Sequence, residues 1–129
     1  PVAYAPHLRA EPLAGESAKA VIVQFAKGDK TVPNPTASAL IRAGDLADRA
    51  TYFRNDLAFA TVPGYTVKNP HTFLTNLGGA AAPFAVAAQQ QLAMFLASDG
   101  SVTIDPDGAG PLFETPIAGP LPETLNFIP

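Results

Sequence analysis

Two residues in this 129-residue chain have the types and spacing for proton-transfer chemistry, Asp29 and His71. Asp29 stands in Lys27-Gly28-Asp29-Lys30-Thr31, directly after the apolar run Ala20-Val21-Ile22-Val23-Gln24-Phe25-Ala26. His71 comes 42 positions later, in Asn69-Pro70-His71-Thr72-Phe73, where Pro70 restricts the backbone and argues for a loop. A serine hydroxyl is a poor nucleophile at neutral pH. It needs an imidazole within hydrogen-bond reach, and the imidazole needs a carboxylate to hold its tautomer and stabilise its charged form. A carboxylate followed by a histidine, each on a loop, is the back half of a nucleophile–histidine–acid system.

The other titratable groups read differently. Asp56 is the rival acid, being nearer to His71, but no strand-then-turn pattern introduces it. His7 lies in a Pro-flanked loop and reads as structural or exposed. Asp45 and Asp48 read as helix caps. Asp105-Pro106-Asp107-Gly108 invites a calcium reading, yet it lacks the further acids and closing Glu of an EF-hand loop, and its composition is that of a type I turn. The two histidines are far apart and no acids cluster with them, so neither a metal nor a cofactor is expected.

The elements that must position Asp29 and His71 follow from the pattern. The run over 20–26 predicts a strand buried on both faces, as in a parallel sheet. Open α/β sheets put site residues just beyond the carboxyl ends of such strands, which is where Asp29 falls. Asn34 as N-cap and Pro35 at the first position predict a helix over 35–43, with Gly44 as its stop. Asp45 and Asp48 predict a short helical stretch around 46–50. Tyr52-Phe53 and Leu57 to Ala60 are apolar and compatible with extended chain. Pro63-Gly64 marks a turn. Pro83 to Ser98 is the clearest helix, with Phe84, Ala88, Leu92 and Phe95/Leu96 on one apolar face and Gly100 past its end.

Beyond it, Ser101 to Ile104 and Leu112 to Glu114 predict a β-hairpin around the 105–108 turn. Pro116 to Pro129 predicts an extended strap whose Ile117, Leu121, Leu125, Phe127 and Ile128 clamp onto a body. The expected organisation is an α/β unit over 1–99, carrying the acid and histidine loops, and a Pro/Gly-rich tail over 100–129.

Gly28-Asp29-Lys30-Thr31-Val32-Pro33 after an apolar strand resembles the acid loop of α/β-hydrolase-fold enzymes. Asn69-Pro70-His71-Thr72-Phe73 before the last amphipathic helix resembles that fold's histidine loop. The resemblance covers roughly residues 10–98, that is, the C-terminal portion of the fold, with parallel strands and flanking helices. The family's triad order of serine, acid, histidine is obeyed by Asp29 and His71. The resemblance therefore implies Asp29 as triad acid, His71 as triad base, and an esterase or lipase acting on an ester or lipid-like substrate. The family's Gly-x-Ser-x-Gly elbow is absent. Ser17, Ser38, Ser98 and Ser101 are the only serines, and none lies in that pattern. The chain opens at Pro1 and its one Met is Met94. The expectation is that the nucleophile and oxyanion hole lie on a separate upstream polypeptide segment, which completes the sheet. The alternative class is a non-catalytic α/β binding domain in which Asp29 and His71 are incidental.

Composition bounds the rest. With 47% hydrophobic and 15% charged residues, global disorder is excluded. The absence of Cys excludes disulfide frameworks, thiolate metal sites and cysteine nucleophiles. A net charge of −3 gives no basic footprint for nucleic acid. No run of 18 or more apolar residues predicts a membrane span. Nothing in the composition assigns a compartment.

Overall fold

The computed structural model describes residues 1–129 and has a mixed α/β architecture. β1 (Val23–Ala26) and β2 (Ala50–Phe53) pair in parallel, from Val23 opposite Ala50 to Ala26 opposite Phe53. Parallel neighbours need a crossover, supplied here by α1 (Asn34–Ala43). The loop that opens this crossover carries Asp29. β3 (Phe113–Glu114) adds antiparallel to the far edge of β2, with Phe53 opposite Phe113. The sheet order is β1-β2-β3, so β2 is central and β1 is an edge strand. This corrects the expectation of a first strand enclosed on both faces. β1 is mostly half-buried because one of its edges has no neighbour, whereas β2 is buried along its whole length.

Alternation along β2 builds a core on each side of the sheet. On one side Phe53 stacks on Phe73 and Phe113, ring centroids 5.3 and 5.0 Å apart, among Ala58, Tyr65 and Ala88. On the other, Tyr52 stacks on Phe25 at 4.8 Å, beside Ile41, Leu46 and Ile117.

Local differences from the sequence expectations have identifiable causes. Pro33, not Asn34, caps α1. Asn34 is buried and spent elsewhere: its Oδ1 accepts from the Gly28 amide at 3.0 Å and its Nδ2 donates to the Ala26 carbonyl at 2.8 Å. Gly44 keeps an ordinary φ, and the left-handed position falls on Asp45 at φ 51°. A 3-10 turn over Ala47–Arg49 then leads into β2. Leu57 to Ala60 are helical, inside α2 (Asn55–Thr61), not extended. Asp56 in the first turn of α2 suits the positive end of the helix.

α3 (Ala82–Ala97) presents Ala85, Ala88, Gln91 and Phe95 to the interior, while Leu96 is 65% exposed. The face is rotated because Gln91 is buried with its hydrogen bonds made. Its Nε2 donates to Thr51 Oγ1 at 2.8 Å and to the Ile104 carbonyl at 2.6 Å, and its Oε1 accepts from Gln24 Nε2 at 2.7 Å. By length and hydropathy alone, Gly79–Ala97 would suffice to cross a bilayer. Here Gln91 ties it to the sheet, and 28% of the segment is buried.

The expected hairpin does not form. Residues 101–104 carry no strand, and β3 pairs with β2 instead. The 105–108 turn is present, and Asp107 Oδ2 accepts from the Leu112 and Phe113 amides at 2.8 and 3.3 Å. Residues 115–129 contain neither helix nor strand. Ile117 enters the core, but Leu125 and Phe127 stay 53% and 40% exposed rather than clamped.

Candidate active site

The acid loop is built from the end of β1. The Lys27 amide donates to the Phe53 carbonyl at 2.8 Å, carrying the strand pairing one residue further. Gly28 then turns the chain at φ +83°, a region that favours glycine. Asn34 ties this turn back to β1 from inside α1. Asp29 follows, buried, and its Oδ1 accepts from the Thr31 and Val32 amides at 2.7 and 2.9 Å. Those two bonds fix the carboxylate and leave Oδ2 directed elsewhere.

Oδ2 meets His71. The Nδ1 atom of the ring lies 2.9 Å from Asp29 Oδ2. His71 follows the buried Pro70, and the chain then folds into a 3-10 turn over Phe73–Thr75, pinned to α3 by Gln89 Nε2 donating to the Leu74 carbonyl at 2.6 Å. Asn69 joins the two loops. Its Oδ1 accepts from the Lys30 amide at 3.0 Å and from the His71 amide at 3.4 Å, and its Nδ2 reaches Thr31 Oγ1 at 3.5 Å.

The electrostatics suit a fixed base. Burial pushes the Asp29 carboxyl up, but the hydrogen bond to His71, the Val32 and Thr31 amides and the His71 charge together hold it below the usual carboxylate range. Asp29 is therefore an anion at neutral pH, and in the tautomer where it accepts from Nδ1–H, Nε2 is the ring nitrogen left free. Nε2 makes no hydrogen bond within the chain. Asp29 is 12% exposed at its side chain and His71 39%, so the carboxylate is sheltered and the imidazole faces outward.

Both residues line a cleft of about 400 Å³ that runs along β1. Its walls are mainly apolar, including Val23, Phe25, Val32, Leu40 and Leu74.

The remaining sequence candidates are spent on other partners. Asp56 Oδ2 takes Lys27 Nζ at 2.9 Å, and both its oxygens take the Arg54 guanidinium at 3.0 Å. These cations outweigh its burial and hold its carboxyl at about 2. His7 Nδ1 bonds the Glu11 carbonyl. Asp48 caps nothing and instead pairs with Arg9 through both oxygens, at 2.6 and 2.9 Å. Ser38, Ser98 and Ser101 donate to the carbonyls of Pro122, Phe95 and Ser98, and none of the four serines bonds His71. No group of three or more His and acidic residues has the geometry to hold a metal. Asn34 and Asn69 are the positioning residues that sequence reasoning missed. Asn34 read there as an N-cap and Asn69 only as part of the Pro-restricted loop before His71, and only the fold shows what their amides reach.

Compared with protein-family models, curated proteins and solved structures, the chain has no match.

Proposed function

We propose that this chain is the acid- and histidine-bearing, C-terminal part of an α/β-hydrolase-fold carboxylic-ester hydrolase, with its serine supplied by an upstream polypeptide segment. The observation that carries the reading is the 2.9 Å pairing of His71 Nδ1 with an Asp29 oxygen, both residues lining an apolar cleft. Asp29 holds the imidazole in the tautomer whose Nε2 is free. His71 Nε2 takes the serine proton as the oxygen attacks the ester carbonyl, then returns it to the leaving alcohol. Water next attacks the acyl-enzyme with His71 again as base. The scheme uses neither metal nor cofactor. The apolar composition of the chain is compatible with an acyl-chain or other lipid-like ester. The unpaired edge of β1 supports a partner that adds a strand there, since an exposed apolar edge invites pairing.

A second reading, a non-catalytic α/β binding domain, is favoured by one observation: no serine of the chain bonds His71. A cleft of this size suits a small apolar ligand without any chemistry.

Labelling with a fluorophosphonate separates the two. Co-expressed with the upstream segment, the chain should yield a complex that hydrolyses esters and is labelled on a serine, and His71→Ala should abolish both. Labelling and turnover that survive His71→Ala overturn the hydrolase reading. Apolar-ligand binding with no labelling favours the binding domain.

A further inference from the structure

We infer that the C-terminal strap is a positioning clamp for the acid loop, with Asn126 acting through Gly28 on Asp29. The inference rests on the hydrolase reading for its functional meaning, but its structural basis is separate. A Cβ added to Gly28 would lie 2.8 Å from the Asn126 carbonyl oxygen and 3.9 Å from Phe127 Cα. The strap therefore closes onto the residue before Asp29 with no room for a side chain between them.

Its approach is anchored on α1. Ser38, fully buried, donates to the Pro122 carbonyl at 2.6 Å, and Glu123 pairs with Arg42. Ile117 and Leu121 pack into the core earlier along the strap. Asn126 has φ +54° and its Nδ2 donates to the Thr124 carbonyl at 3.1 Å, so the chain is turned where it meets Gly28. Gly28 is thus held from two sides, by the Asn34 amide group inside α1 and by the strap outside. The Thr31 and Val32 amides that hold Asp29 Oδ1 lie in the loop this turn opens, so the clamp is expected to act on them through the turn. Asn126 is accordingly a positioning residue: it makes no hydrogen bond to His71 and does not line the cleft.

The test is amide hydrogen exchange on the whole chain, compared with a variant ending at Leu121. Loss of the strap should speed exchange at Thr31 and Val32 about tenfold or more, while the β2 amides keep their protection. The far-downfield Nδ1 proton of His71 should broaden away in the same variant. Unchanged exchange at Thr31 and Val32 overturns the clamp. If the shortened chain unfolds, the full-length double variant Ser38→Ala/Glu123→Ala replaces it, with several-fold faster exchange expected at the same two amides and unchanged exchange again overturning the clamp. A whole chain that lacks the Nδ1 signal overturns the Asp29–His71 pairing and with it the functional meaning of the clamp, while the amide exchange still decides the clamp itself.

Discussion

Asp29 and Asp56 occupy matching places, each three residues past the end of one of two adjacent parallel strands. Their surroundings give them opposite roles. Asp29 satisfies one oxygen with two backbone amides and offers the other to an imidazole. Asp56 is saturated by Lys27 and by Arg54, whose guanidinium also reaches Glu114 at 2.9 Å. The first carboxylate faces an imidazole whose second ring nitrogen is left without a partner in the chain. The second faces two cationic side chains. A strand end places a carboxylate, and the partners it meets there decide between proton chemistry and structural pairing.

The largest expected difference between the two is in turnover. In the proposed hydrolase complex, Asp29→Asn should lower kcat by a factor on the order of 10⁴, because the imidazole is then held in the wrong tautomer. Asp56→Asn should leave kcat within about threefold, since its partners do not touch His71. Equal losses in the two variants would erase the distinction.

Stability should rank them the other way. Asp56→Asn leaves Lys27 without its carboxylate and Arg54 with Glu114 alone, and should cost about 1–2 kcal/mol in urea unfolding. Asp29→Asn keeps an oxygen for the Thr31 and Val32 amides and should cost less than about 1 kcal/mol.

The pH dependence sharpens this further. The folded Asp56 carboxyl sits at about 2, below its ordinary value of 3.8, so its stabilisation is complete above about pH 4. It is lost as pH falls through that interval toward 2. Asp29 is displaced in the same direction. Acid unfolding followed by circular dichroism should become shallower between pH 4 and 2 in Asp56→Asn, and less so in Asp29→Asn.

The smallest effect belongs to Asn69, which bridges the acid and histidine loops from an exposed position. Asn69→Ala should lower kcat about tenfold or less and stability by under about 1 kcal/mol. The same change should not affect the Asp56 cluster.

How far these arrangements were legible in the sequence depends on the range of the interaction. The loop placement of Asp29 and His71 follows from an apolar run ending at Gly28 and from the backbone restriction at Pro70, both local signals. α1 and α3 were legible for the same reason, to within a residue at their starts. The rank of the strands was not. An apolar run reports that a strand wants burial, and β1 lies at the edge while the less apolar Ala50-Thr51-Tyr52-Phe53 takes the centre. Gln91 escaped notice because a glutamine between Gln90 and Leu92 looks like a solvated residue until Thr51, Gln24 and Ile104 meet it from three distant parts of the chain. The missing hairpin has the same origin, since the Ile104 carbonyl is taken by Gln91. Asp56 was separable from Asp29 only by what introduces it: Arg54 stands two residues before it, and Lys27 is brought to it only by the fold.

The central claim is that Asp29 sets the state of the His71 ring. Nitrogen-15 NMR of the imidazole at a pH where the ring is neutral tests it most directly. The account predicts a proton on Nδ1 and a bare Nε2, with the preference lost or reversed in Asp29→Asn and kept in Asp56→Asn. A ring that carries its proton on Nε2, or whose tautomer is indifferent to Asp29→Asn, would contradict it.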